Sequence, residues 1–287
     1  MGGSILNQRE IVDGNVGLNS IFGSKRSGIM REPDFGPKPE LKKRAEIPAD
    51  PLEAAMRLQE KAKDYEIDPK LLGGLAFKIL CRSAREGSLA RNRNDIDLAV
   101  KRKDVAKLKK VMSELGYEYP IRDNVLSPDQ ILYLDNQNQR QVDIFVDGFQ
   151  MCHKFDFREG LESKGATLPI TDLIMTKLQI AEITYKDLQD LASAFSDFRL
   201  GQEEGNIRYD QIASLASKNW GIWKDFTDNL RKLKAHVKEL APEKADEIAE
   251  RVGTLLEDIE KHPKSARWSA RARFGERLKW HELPQRR

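Results

Sequence analysis

Two aspartates placed two residues apart in an apolar segment are the feature of this sequence with the clearest chemistry. Asp95 and Asp97 lie in DIDLAV, and a later apolar segment, QVDIFV, carries Asp143. Residues i and i+2 of a β-strand point to the same face, so Asp95 and Asp97 are expected to project together. If the two segments are neighbouring strands, three carboxylates converge and form a hard-oxygen site suited to Mg²⁺. The alternative is a set of solvated acids on edge strands, but each acid interrupts a strongly apolar run.

A pair of glycines precedes these acids. Gly73 and Gly74 stand where a helical segment, LAFKILCRS, begins. The free N–H groups and the dipole at a helix start favour a phosphate, and glycine lets a ligand approach the backbone closely. Together with the aspartates, the glycines predict a phosphate-binding position beside a cation site.

A lysine in a later helical segment is also a candidate. Lys177 interrupts a stripe of apolar residues at helical spacing. Burying a lysine is costly unless an anion meets it, so the expected partner is a phosphate or the carboxylate of Asp187. The alternatives are a lysine that extends to the surface and, for Asp187 and Asp190, exposed helix acids.

Two segments of the chain resemble a known protein superfamily. LLGGLAFKILCRSAREGSLARNRNDIDLAV, followed by QVDIFV, resembles the nucleotidyltransferases of the DNA polymerase β type. These combine a Gly-Gly or Gly-Ser helix start, an Asp-X-Asp strand and a third Asp on an adjacent strand. Within that superfamily, LPITDLIMTKLQIAEITYKDLQDL resembles the helical segment of the AbiEii-type group. The resemblance covers residues 65–195 and is more specific in its first half.

The resemblance implies a role for each candidate residue. The three aspartates would hold two Mg²⁺ ions, and Asp143 would also serve as the base or position it. Two departures from the superfamily pattern are Leu75, where many members have Ser or Thr, and Arg93, where Ser or Thr often stands. The positions implied for catalysis are Asp95, Asp97, Asp143 and Lys177, and those implied for nucleotide binding are Gly73, Gly74, Arg91 and Asp187.

The activity that the resemblance implies is two-metal phosphoryl transfer. A nucleoside monophosphate would move from a triphosphate such as ATP to an acceptor hydroxyl, with release of pyrophosphate. The acceptor stays open between RNA or tRNA, a protein and a small molecule, and the group implies an antitoxin-like protein partner. A non-catalytic nucleotide- or RNA-binding regulatory protein that retains the fold is the main alternative. A metal-dependent phosphoesterase is the third.

The elements that must position these residues predict an α+β fold, with a small mixed-sheet core followed by helices. A helix should begin at Asp50 and Pro51, Asp104 should cap another that ends at Gly116, and ILYLD, NQNQ and RQVDIFV should form a hairpin. From Thr171 onward the pattern is helical. The expected regions are an extended or disordered arm (1–48), a nucleotidyltransferase α/β core (49–169), a helical region (170–262) and a basic aromatic tail (263–287).

The tail has its own pattern. From Lys264 it carries eight Lys and Arg against two Glu, interleaved with Trp268, Phe274 and Trp280. Such a segment suits RNA through phosphate contacts and base stacking. The alternative, which we favour, is an amphipathic terminal helix that packs Trp268 and Leu278 on the domain.

Composition excludes several classes of protein. The 287 residues carry 49 Lys and Arg against 46 Asp and Glu, so net charge alone does not argue for a nucleic-acid partner. No apolar run approaches the roughly 18 residues that a membrane helix requires. Two cysteines cannot build a disulfide framework, and four histidines without paired spacing do not predict zinc. We expect a cytoplasmic protein without a secretory signal.

Overall fold

Helices make up most of the computed structural model, which describes residues 45–121 and 129–282. All but the last four residues of the predicted arm therefore lie outside the described residues. Within the described ranges, the helices are α1 (Pro51–Lys63), α2 (Gly73–Leu80), α3 (Val105–Glu114), α4 (Ile170–Leu178), α5 (Tyr185–Asp197), α6 (Tyr209–Lys218), α7 (Trp220–Leu240), α8 (Ala245–Lys261) and α9 (Ala266–Ala272). The strands are β1 (Lys70–Leu72), β2 (Ile96–Val100), β3 (Gln130–Asp135), β4 (Arg140–Val146), β5 (Gly148–Gln150), β6 (Lys154–Asp156), β7 (Leu200–Gly201) and β8 (Ile207–Arg208). The fold class is α+β, as predicted.

A four-stranded mixed sheet organises the first half of the described chain. Its strand order is β1-β2-β4-β3. Strands β2 and β4 run parallel, whereas β1 pairs with β2 and β3 pairs with β4 in the antiparallel sense. The hairpin predicted from ILYLD, NQNQ and RQVDIFV is therefore confirmed as β3 and β4. The other edge of β4 pairs with β2, so the strands that carry Asp97 and Asp143 lie side by side.

The caps that the sequence predicts at the ends of α1 and α3 are confirmed in part. Asp50 accepts a hydrogen bond of 2.8 Å from the Glu53 amide, and Pro51 occupies the first turn, which confirms the predicted start of α1. Asp104 precedes α3 but makes no side-chain capping bond, so that predicted cap is wrong. Its backbone is already in the right-handed helical region, whereas a capping residue needs an extended backbone to turn its side chain back. Gly116 follows α3 with a φ of +87°, as a helix-ending glycine does.

The second half of the described chain is helical, as predicted. The stretch from Thr171 divides into two helices, α4 and α5, and the three later helical patterns correspond to α6, α7 and α8. Helix α2 packs against α4 and α5, and residues before and after 170 share one hydrophobic core. The helices thereby bring Lys177 on α4 and the acids of α5 to the start of α2.

The predicted tail packs partly on α7. The Trp268 ring lies edge-on against Trp223 at 5.3 Å, and the Trp280 ring lies edge-on against Trp220 at 5.8 Å. Packing of Trp268 is therefore confirmed, but Leu278 is 49% exposed and its predicted packing is wrong. Helix α9 ends at Ala272, so Trp268 and Leu278 do not share one helical face. None of the helices in the described ranges is long and apolar enough for a membrane span.

Candidate functional site

Asp97 and Asp143 lie side by side on neighbouring parallel strands. The register of β2 and β4 pairs Asp97 with Asp143, at the strand separation of about 4.8 Å that sheets have. The residues that flank each aspartate are buried, namely Ile96, Leu98, Val142 and Ile144, while both aspartates are half-buried. The two carboxylates thus lie on one face of the sheet, and the apolar residues that flank each aspartate lie on the opposite face.

The pKa of Asp97 reflects its burial and the repulsion from the neighbouring acids. Burial and the neighbouring Asp143 carboxylate, in that order, raise this pKa to about 7, Asp95 adds a smaller repulsion, and Lys177 acts in the opposite sense. Asp143 accepts a hydrogen bond of 2.9 Å from the Gln130 side chain. Near neutral pH the Asp97 carboxyl therefore holds a proton part of the time, and a cation between the two acids would release that proton.

Asp95 is placed differently from the other two aspartates. It precedes β2 and its side chain is exposed. Residues 45–121 and 129–282 contain no group of three His, Cys, Asp or Glu side chains arranged to hold a metal ion. The structure thus brings Asp97 and Asp143 together, and Asp95 as a third ligand stays a prediction. The pair still fits Mg²⁺, which binds proteins through one or two carboxylates and takes its other ligands from water and phosphates.

Gly73 and Gly74 bring the start of α2 into contact with the charged residues. Gly73 has a φ of +65°, and a Cβ built on it would lie 1.9 Å from Asp97 Oδ2. A Cβ on Gly74 would lie 3.2 Å from the Arg91 guanidinium and 3.1 Å from the Arg93 side chain. Gly73 therefore needs glycine both for close approach to Asp97 and for its backbone conformation, whereas a side chain at Gly74 would only crowd the two arginines.

Lys177 meets the carboxylates of α5. Its Nζ lies 2.7 Å from Asp187 Oδ1 and 3.2 Å from Asp190 Oδ2. Burial alone would lower the pKa of Lys177, but the Asp190 and Asp187 carboxylates more than offset it, and the pKa is raised. The predicted contact with Asp187 is confirmed. Asp187 also forms a capping box with Thr184 at the start of α5, so it fixes the helix as well as the lysine.

The ion pair between Asp190 and Arg93 is the part of the site that the sequence did not predict. Asp190 is fully buried, so the alternative of an exposed helix acid is wrong for it. It accepts hydrogen bonds from Arg91 at 2.6 Å and from Arg93 at 2.8 Å. The sequence offered one sign of a buried cation partner. Asp190 lies between Leu188 and Leu191, which are both buried, and an acid inside an apolar helix face requires a cation.

The two departures from the superfamily pattern have structural explanations. Leu75 is buried in the core with α2, so it belongs to the packing of that helix. Arg93 is 1% exposed and forms the ion pair with Asp190. Leu75 therefore anchors α2 in the core, and Arg93 fixes the loop before β2 to α5.

Comparisons with known proteins find weak similarity to several solved structures. No family model and no curated protein match it. The antibiotic-resistance factor ANT(2'')-Ia is 11% identical, with 79% of this chain and 97% of that chain covered and a TM-score of 0.34. A STING-associated CdnE c-di-GMP synthase from Capnocytophaga granulosa is 13% identical, with 77% and 80% covered and a TM-score of 0.25. Both are nucleotidyltransferases. The low TM-scores leave superfamily membership and the AbiEii-type group as predictions.

Proposed function

We propose that this chain is a nucleotidyltransferase that moves a nucleoside monophosphate from a triphosphate to an acceptor hydroxyl. The observation that carries the proposal is the pairing of Asp97 with Asp143 on parallel strands, against the glycine start of α2. Two mutually repelling acids beside free helix N–H groups favour a cation and a phosphate at the same place. The proposal depends on this geometry.

Each residue of the candidate site has a part in the proposed reaction. Asp97 and Asp143 would hold Mg²⁺, and Asp95 would complete the ligand set. Bound there, the metal supplies charge neutralisation for the phosphates and a more acidic attacking hydroxyl. The backbone N–H groups at Gly73 and Gly74 would donate hydrogen bonds to phosphate oxygens of the substrate. Catalysis of this kind is mainly positioning and charge stabilisation, to which Arg91 and Lys177 contribute positive charge and Asp187 the orientation of Lys177.

RNA or tRNA is the acceptor class that we propose first. The tail leaves Arg273, Phe274 and Arg277 exposed, and such residues provide phosphate contacts and a ring on which a base can stack. The triphosphate class is proposed to include ATP. The resemblance also motivates an antitoxin-like protein as a partner.

The non-catalytic alternative is not favoured. A protein that had lost catalysis would show departures from the superfamily pattern, and Leu75 and Arg93 are the two departures of this chain. Leu75 fills the core and Arg93 pairs with Asp190, so both have structural explanations that leave the paired aspartates intact.

Transfer of labelled phosphate tests the proposal. Purified protein is incubated with Mg²⁺, a total RNA extract and each nucleoside triphosphate labelled at either the α- or the γ-phosphate. We expect α-label in RNA or protein, release of pyrophosphate, and no transfer by Asp97→Asn. Incorporation of γ-label alone, hydrolysis without an acceptor, or full transfer by Asp97→Asn would reject the proposed reaction.

The melting temperature tests whether the candidate site binds a triphosphate with Mg²⁺. A ligand that binds only the folded state must raise the melting temperature. We expect Mg²⁺ with a triphosphate to raise it for the natural sequence. The increase should be much smaller for Asp97→Asn, while Asp246→Asn, an exposed acid on α8, should behave as the natural sequence. No increase with any triphosphate would contradict the proposal.

A further inference from the structure

One buried carboxylate joins three cations beside the candidate site. Asp190 on α5 accepts Arg93 Nη2 on its Oδ1, while its Oδ2 lies 2.6 Å from Arg91 Nη2 and 3.2 Å from Lys177 Nζ. The two arginines come from the loop before β2 and the lysine from α4. One carboxylate carries a single negative charge, so Asp190 by itself does not balance the three cations that contact it.

The two arginines have different surroundings. The Arg93 side chain is 1% exposed, and its Nη1 also donates to the carbonyl oxygens of Ala84 and Arg91, which ties the loop to itself. The Arg91 side chain is 16% exposed and lies against Gly74 at the start of α2. Arg91 Nε and Arg93 Nε are both buried and have no hydrogen-bond partner among the described residues. Arg93 is thus enclosed and makes three hydrogen bonds within the protein, whereas Arg91 is the more exposed of the two arginines beside Gly74.

The charges do not balance within this group. Arg91, Arg93 and Lys177 carry three positive charges, and Asp187 and Asp190 carry two negative ones. The remaining positive charge lies beside the helix N-terminus, where the helix dipole adds to it. Asp97 and Asp143 lie at the same helix start, so a polyphosphate fits beside Arg91 and Lys177 together with a cation that offsets those two acids.

We propose that Asp190 and Arg93 are positioning residues that hold Arg91 and Lys177 at the start of α2 for the polyphosphate of the substrate. The inference rests on the proposed function for the identity of that substrate. Arg93 fixes one oxygen of Asp190, and the other oxygen then fixes Arg91 and Lys177. Neither Asp190 nor Arg93 touches the substrate in this arrangement.

Binding of inorganic tripolyphosphate in the presence of Mg²⁺ tests the inference without turnover. Calorimetric titration compares the natural sequence with Arg91→Ala, Arg93→Lys and the double variant. We expect Arg91→Ala to weaken binding about tenfold or more, as loss of a charge-assisted bond does. Arg93→Lys keeps the charge but not the geometry, and should weaken binding several-fold. Because Arg93 acts through Arg91, the double variant should bind about as Arg91→Ala does.

The control for this experiment is another arginine of the same loop. Arg85 donates to the carbonyl oxygens of Lys78 and Ile79 and has no contact with Asp190, so Arg85→Lys should bind tripolyphosphate as the natural sequence does. Asp190→Asn leaves three buried cations underpaired and is expected to melt lower. Arg93→Lys therefore carries the test, with its melting curve measured alongside. In turnover, Arg93→Lys should raise KM for the triphosphate more than it lowers kcat.

The inference is overturned by any of three results. These are no binding of tripolyphosphate by the natural sequence, unchanged binding by Arg93→Lys, and a double variant whose loss is the product of the single losses. Failure of the proposed function has a different signature, in which the coupling between Arg91 and Arg93 persists but no α-label is transferred. If label transfer depends on Asp97 while Arg93→Lys behaves as Arg85→Lys, only this inference fails.

Discussion

At the scale of single residues, Asp97 responds most directly to its surroundings. Its pKa is raised from 3.8 to about 7, first by burial and then by Asp143. The folded state therefore binds this proton more tightly than the unfolded chain does. The resulting stabilisation is fully present below the ordinary pKa and is lost as the pH rises through about 7.

This shift predicts the pH dependence of Asp97→Asn. In EDTA, the natural sequence should lose stability relative to Asp97→Asn between about pH 5 and pH 8, because only the natural sequence must ionise a repelled acid. At pH 8 the variant should be the more stable, by at least about 1 kcal/mol, since one pKa unit corresponds to about 1.4 kcal/mol. Denaturant unfolding across this range measures the difference. A variant that is less stable at pH 8 than at pH 5, relative to the natural sequence, would contradict the assignment.

The residues that could be predicted from sequence are those whose pattern is local. Asp97 and Asp143 each interrupt an apolar strand, and Lys177 interrupts an apolar helix face. The ion pair of Arg93 with Asp190 could not be predicted, because each residue needs the other as its partner and they are 97 positions apart in the chain. Their pairing follows from the packing of α5 on the loop before β2, which no local pattern contains.

At the scale of elements, the start of α2 determines how close the backbone comes to Asp97. Leu72 in β1 pairs with Asp97 in β2, and the chain turns into the helix at Gly73 with a positive φ. The strands, the hairpin and the helices followed from periodicity and turn residues. The contact between Gly73 and Asp97 could not be predicted from the sequence, because it depends on how β1 and β2 align in the folded sheet.

Replacement of Gly73 by alanine tests this contact. A non-glycine residue with positive φ costs about 1–2 kcal/mol, and the methyl group of Gly73→Ala must also displace the Asp97 carboxylate. Gly205→Ala is the matched control, because Gly205 has a φ of +89° and no atom within 4 Å of its Cβ position. We expect Gly73→Ala to lose more unfolding free energy than Gly205→Ala, and to lose the triphosphate-dependent increase in melting temperature. Equal losses with triphosphate binding retained would show that the contact is unimportant.

At the scale of the whole described chain, the C-terminal residues stabilise the helical region. Trp280 packs against Trp220 and donates a hydrogen bond of 2.9 Å to Asp225, which also pairs with His153 at 2.7 Å. The basic, aromatic composition of the tail could not reveal which rings pack. Trp268 and Trp280 lie against α7, whereas Phe274 is 55% exposed.

Trp280→Ala should therefore destabilise the protein where Phe274→Ala does not. Loss of an aromatic contact and of a hydrogen bond to a carboxylate predicts about 2–4 kcal/mol for Trp280→Ala. An exposed ring predicts a change within about 0.5 kcal/mol for Phe274→Ala. Guanidinium unfolding followed by circular dichroism measures both. Similar values for the two variants would mean that the tail does not pack as described.

The most direct test of the account is whether Asp97 and Asp143 bind one divalent cation together. Electron paramagnetic resonance of Mn²⁺ with tripolyphosphate reports free and bound ion for the natural sequence, Asp97→Asn, Asp143→Asn and the exposed-acid control Asp246→Asn. We predict tight binding by the natural sequence and the control, and strongly weakened binding by each site variant, because each variant removes one of two paired ligands. Unchanged Mn²⁺ binding in both site variants would contradict it.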